Sequence, residues 1–177
     1  PALLAAPPAA AASADRKLPP FNAVSVCAPL SVRVRAGPAG STAYTARLQG
    51  DRAVLDALTI VETRRAIAIE LTKPVSTTRR VVVDLIVPPR TLQYVERVFG
   101  PGDTVLDTEF DPDKCEVAAS GAGNWWLPRV GSVALAKASL GAPSQAYINA
   151  SAPFVELFAS SPNATVRLDG ATGTVSA

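Results

Sequence analysis

The last third of the chain is written in units of about 20 residues, and that spacing limits what it can fold into. Three stretches, "CEVAASGAGNWWLPRVGS", "VALAKASLGAPSQAYINASAPF" and "VELFASSPNATVRLDGATGT", each open with an alternating run. Each then passes Ser with Gly or Pro and resumes in a second short run ("NWWL", "AYIN", "TVRL"). Val117, Val133, Val155 and Val175 start successive units, 16 to 22 residues apart. A unit this short cannot bury its own apolar face, so it must stack on its neighbours; two short strands per unit with small-residue corners predict a β-solenoid. An antiparallel β-sandwich with hairpins at the same spacing is the alternative. Tight two-residue hairpin signals are scarce, with Asp169-Gly170 the exception.

The first half reads as strands too. In "LSVRVRAG", Leu30, Val32 and Val34 fall on one face and Arg33 and Arg35 on the other, the period of a half-buried strand. "FNAVSVCA", "AYTARLQG", "LDALTIVET" and "AIAIELT" are further β-type runs, and "RRVVVDLIVPP" is apolar on both faces, as in a strand covered on both sides. The fold class is therefore all-β. Residues 1–19 are rich in Pro and Ala and aperiodic, which predicts a linker or extended arm. Residues 20–177 form the β domain, with irregular coils over 20–98 and more regular ones over 99–177.

Composition removes several classes of function. The 17 basic and 15 acidic residues are spread along the chain without a basic stripe, which argues against nucleic acid. The chain has no histidine, so the usual general base and commonest metal ligand are missing. It has no methionine either, which points to a processed product or a segment of a longer precursor. No apolar run reaches the ~20 residues that cross a bilayer. Cys27 and Cys115 are candidates for one long-range disulfide in a secreted protein, and otherwise two buried thiols. The sequons at Asn149 and Asn163 are candidate N-glycosylation sites, and with the cysteines they favour an extracellular product.

"FNAVSVCAPLSVRVRAG" resembles the opening of the putative auto-transporter adhesin, head GIN domain family, in which a Phe-led strand precedes one of the form pl-x-V-x-V-x-x-G. "LQGDRAVLDALTIVETRRAIAIEL" is similar to its next segment, "VVVDLIVPPRTLQYV" to its strand ending in proline, and "AASGAGNWWL" to its Ser-Gly-x-Gly corners. The four occur in the family's order across residues 20–177. Later corners, "ASLGAPSQ" and "ASSPNATV", depart from the glycine pattern. The resemblance implies a right-handed parallel β-helix displayed outside the cell, with no established catalytic residues, and no cofactor is expected.

Three stretches carry candidate chemistry. Asp107, Glu109, Asp111 and Asp113 form a D-x-E-x-D-x-D ladder that a hard cation could use, although it lacks the spacing of a calcium loop. On a strand the four share one outward face, which is a solvated edge. The same acids could in principle serve glycoside hydrolysis, which needs two carboxylates across a bound sugar; Arg64-Arg65 and Arg79-Arg80 are pairs whose members face opposite ways. "GAGNWW" is no phosphate loop, having no Lys-Ser/Thr after it. Strand alternation sends Trp125 and Trp126 to opposite faces, one to the core and one to the surface, where with Asn124 it could contact a sugar or a protein. The expected function is a non-catalytic extracellular or cell-surface structural or adhesion module, its open end capped by further chain or a partner subunit. A carbohydrate-binding module is second and a carbohydrate-active enzyme third.

Overall fold

A computed structural model describes residues 11–77, 79–141, 143–170 and 174–176. The strands are β1 (Ala11–Leu18), β2 (Ala23–Cys27), β3 (Ser31–Ala36), β4 (Tyr44–Asp51), β5 (Leu58–Thr63), β6 (Ala66–Leu71), β7 (Val82–Val87) and β8 (Tyr94–Arg97). They continue as β9 (Thr104–Asp107), β10 (Lys114–Ala119), β11 (Gly123–Ser132), β12 (Leu135–Leu140), β13 (Ser144–Ser151), β14 (Phe154–Ala159), β15 (Thr165–Asp169) and β16 (Thr174–Ser176). One short helix, α1 (Arg52–Ala57), lies between β4 and β5.

The protein is all-β, with two mixed eight-stranded sheets. The first has the order β1-β4-β7-β3-β9-β11-β13-β15, and the second β5-β6-β2-β8-β10-β12-β14-β16. From β7 onward the chain alternates between them, and each strand lies parallel to the one two places earlier from β10 on. Cys115 pairs with Ala136, Ala136 with Val155 and Val155 with Val175, steps of 21, 19 and 20 residues. This corrects the unit starts read from sequence. Val155 and Val175 are in register, but Val117 pairs with Ala138, and Val133 is a buried residue of the corner between β11 and β12. The wandering corner lengths hid the true register.

Inward residues stack into rows that join one hydrophobic core. Ile67, Val24, Val95, Val117 and Ala138 are successive neighbours across the second sheet, all buried. Val34 pairs with both Leu85 and Leu106 in the first sheet. The next row of the second sheet holds a charge: Arg97 lies between Val26 and Ala119, fully buried. Its guanidinium donates to the carbonyl of Leu30 at 3.0 Å and to Thr104 Oγ1 at 3.0 Å. Burial lowers its pKa from the usual arginine value, and the nearby Asp103 opposes that shift.

The early region breaks the pattern. β4 runs antiparallel between β1 and β7, and β5 runs antiparallel to β6. Within the Pro/Ala-rich arm the described part, Ala11–Leu18, is β1, whose Ala12, Ala14 and Leu18 pack on the core. The run "LDALTIVET" is not wholly a strand, because Leu55 and Ala57 belong to α1 and are buried there. Arg52 and Asp56 pair across its single turn at 3.0 Å. A six-residue helix is too short to show a 3.6-residue period. In β7, Val83, Leu85 and Val87 are buried on the inner face. On its outer face Asp84 is buried beneath Arg33 and Arg35, each 3.8 Å away.

Candidate functional site

The glycines of the corner "SGAG" let it pack closely on the corner at Gly100 and Gly102. A side chain at Gly121 would lie 2.8 Å from the Gly100 carbonyl oxygen, and one at Gly123 would collide with the carbonyl of Gly102. Gly123 also has φ +154°, which disfavours a side chain. The glycines are therefore used up by packing against the preceding corner, and they deliver the chain into β11.

There the alternation separates the tryptophans. Trp125 is 2% exposed, in a row with Thr104 and Ala146, whereas Trp126 is 50% exposed on the outward face. Trp126 pairs in register with Val105 on one side and Tyr147 on the other, and Tyr147 with Arg167. The Trp126 and Tyr147 rings stack with centroids 4.1 Å apart and planes at 21°. The Arg167 guanidinium lies 5.6 Å from the Tyr147 ring centre. Partial burial, then the hydrogen bond and charge of Asp169, raise the Tyr147 phenol above its ordinary pKa against the pull of Arg167. The row two residues earlier holds Asn124, Gln145 and Thr165. With Trp126, Tyr147 and Arg167 these line an open depression of about 520 Å³.

Followed the other way, the row becomes ionic: Val105 pairs with Arg33, Arg33 with Asp84, Asp84 with Arg47 and Arg47 with Asp15. Arg47 holds Asp15 by two bonds, at 2.9 and 3.3 Å, and that hydrogen bond lowers the Asp15 pKa below the usual carboxylate range. The second sheet presents a different outer face, where Lys137 lies 3.8 Å from Glu116 and 3.7 Å from Glu156, with Phe154 and Phe158 exposed on the same strand as Glu156.

The acidic ladder is dispersed, because β9 stops at Asp107 and the following residues turn into the next sheet. The four acids therefore do not share a strand face. Asp107 accepts from Arg129 at 2.6 Å, Glu109 from Arg90 at 2.6 Å, and Asp111 from the backbone N–H of Asp113 at 2.9 Å. Among the described residues no group of three or more His, Cys, Asp or Glu could hold a metal ion. Nor do the cysteines form the expected disulfide: both are free. Cys115 points into the core from β10 while Cys27 alternates to the outer side of β2, two strands away in the same sheet. Thiols on opposite faces of one sheet cannot bond. Burial, and then the charge of Glu116, push the Cys115 pKa far up. Asn149 in β13 and Asn163 in the turn before β15 are both exposed.

Sequence reasoning missed Tyr147 and Arg167. The signal was present in the repeat: set in register, "NWWL", "QAYI" and "TVRL" bring Trp126, Tyr147 and Arg167 into one column.

No family model matches the chain, and no curated protein matches it. Solved structures do share its fold. A putative adhesin from Bacteroides fragilis superposes with a TM-score of 0.54 at 12% identity, over 94% of this chain and 96% of the other. A putative adhesin from Parabacteroides merdae gives 0.51 at 11% identity, over 94% and 95%. A putative lipid binding protein from Parabacteroides distasonis gives 0.51 at 11%, over 94% of this chain and 73% of the other. At this identity the likeness is one of fold, and that fold occurs both in putative adhesins and in a putative lipid binding protein.

Proposed function

We propose that this chain is a non-catalytic adhesion module, extracellular or at the cell surface, wound as a right-handed β-solenoid of the head GIN type. The observation that carries the reading is the outward aromatic row of Trp126 and Tyr147 on a broad sheet face. Large exposed aromatics on such a face are costly unless something covers them. The shared fold with putative adhesins supports it. So does the regular alternation of strands between sheets, since connections between parallel strands are right-handed with few exceptions. Further chain or a partner subunit covers the β15/β16 end of the stack in this reading. Two of the carboxylates that an enzyme could use, Asp107 and Glu109, are engaged with Arg129 and Arg90 instead.

Beads carrying the chain should be retained on intact cells, and changing both Trp126 and Tyr147 to Ala should abolish most retention. Retention unaffected by that double change would sink the assignment of this face, and turnover of a polysaccharide would sink the non-catalytic reading. Peptide mass spectrometry of native material should find glycan on Asn149 or Asn163; bare sequons would count against the extracellular location.

Carbohydrate binding is a second reading, favoured by one arrangement. The amides of Asn124 and Gln145 stand beside Trp126, the combination of an aromatic ring with fixed polar groups that recognises sugars.

A further inference from the structure

Tyr147 stacks on the Trp126 indole from β13, and on the β9 side the row carries the short Val105, with Trp126 50% exposed. Beyond Val105 stands Arg33, two strands or about 10 Å from Trp126. Arg33 and Arg35 share a single carboxylate, Asp84, each at 3.8 Å, so one positive charge of this trio is uncompensated. Lys17 adds a further exposed cation in the row of Arg35. The nearest acid on the other side, Asp107, is held by Arg129 at 2.6 Å. The outer face of the first sheet thus has a stacked aromatic pair at β11 and β13 and a cationic patch at β3, with the shorter Val105 between them.

We propose that this face binds an acidic polysaccharide running across the strands, deepening the surface-binding reading on which it rests. A pyranose ring is about as long as the ~4.8 Å separation of neighbouring strands, so consecutive sugars step from one strand to the next. One sugar lies over Val105 beside the exposed Trp126 indole. Carboxylates of the following sugars then meet Arg33 and Arg35, which bind carboxylate through paired N–H groups. A neutral glycan uses only the aromatic half, and a simple polyanion only the cationic half.

The test is calorimetric binding of the whole chain to polygalacturonate, its fully methyl-esterified form and inorganic polyphosphate, at low and moderate salt. Polygalacturonate should bind about tenfold or more tighter than the ester, and salt should weaken it. Trp126→Ala should weaken it about tenfold, Trp126→Phe much less, and Arg33→Gln with Arg35→Gln about tenfold. All these side chains are exposed, and a cooperative urea transition confirms that each variant folds. Equal binding of acid and ester overturns the proposal, as does tight polyphosphate binding indifferent to Trp126→Ala. Capture of acidic proteins without affinity for polygalacturonate overturns it in favour of a protein partner. If beads adhere to cells and added polygalacturonate does not compete, this proposal fails while the adhesion reading stands. If polygalacturonate binds but cells are not retained, the reverse holds.

Discussion

Gly123 carries two constraints that a substitution would break together. Its φ of +154° disfavours a side chain, and a Cβ would strike the carbonyl of Gly102 in the corner beneath. Gly40 also has a positive φ, +78°, but has open space around it. Gly123→Ala should therefore cost roughly 2–3 kcal/mol and Gly40→Ala about 1 kcal/mol, read as shifts of the urea midpoint. Equal shifts would mean that corner stacking is not what the glycine serves. The cysteines differ as sharply. Cys115 is buried, with its thiol held protonated, whereas Cys27 is half-buried on the outer face. Iodoacetamide at neutral pH should alkylate Cys27 in the native protein and spare Cys115 until denaturant is added. Equal labelling in the native state would contradict the inward placement of Cys115.

Within β11 two identical side chains do unlike work. Trp125 is fully packed between Thr104 and Ala146, so Trp125→Ala removes a large buried ring and should cost about 3–5 kcal/mol. Trp126 loses only its stack on Tyr147 and partial burial, so Trp126→Ala should cost about 1 kcal/mol in stability while weakening the surface's binding about tenfold. Chemical denaturation of the two variants side by side gives the comparison. β1 shows the opposite economy, a low-complexity segment made useful by its partner. Its Asp15–Arg47 pair forms only because β4 offers an edge. Since the Asp15 pKa is depressed on folding, that pair contributes above the ordinary carboxylate value of about 3.9 and fades as pH falls through the lowered one.

Across the molecule, burial thins along the stack. β10 alternates cleanly between half-buried and buried residues, β14 keeps one buried residue, and β15 has none. Where strands pair only with their neighbours in the sheet, local stability follows that gradient. Hydrogen exchange should be slowest in β2, β8 and β10 and fastest in β14 and β15; uniform protection would argue for a core that is cooperative from end to end. Binding of a partner or further chain to the β15 and β16 edges should slow exchange there selectively.

The all-β class, the strand alternation that parts Trp125 from Trp126, and the recurrence near 20 residues were all legible from the order of residues. Each depends on local periodicity, and side chains two apart on a strand must share a face whatever surrounds them. The register between layers was not legible, because corners of differing length carry no signal for where one strand aligns with the next. That register pairs Val155 with Ala136 rather than with Val133, and it places Tyr147 and Arg167 beside Trp126. The tertiary structure also ends β9 at Asp107, which scatters the acidic ladder around a corner, and places β2 and β10 in one sheet, where alternation turns Cys27 outward and Cys115 inward. "SGAGNWW" shows both kinds of information in seven residues. That it turns and then alternates is local; that its glycines lie on an earlier corner and its second tryptophan on a distant tyrosine is settled by layers packing together.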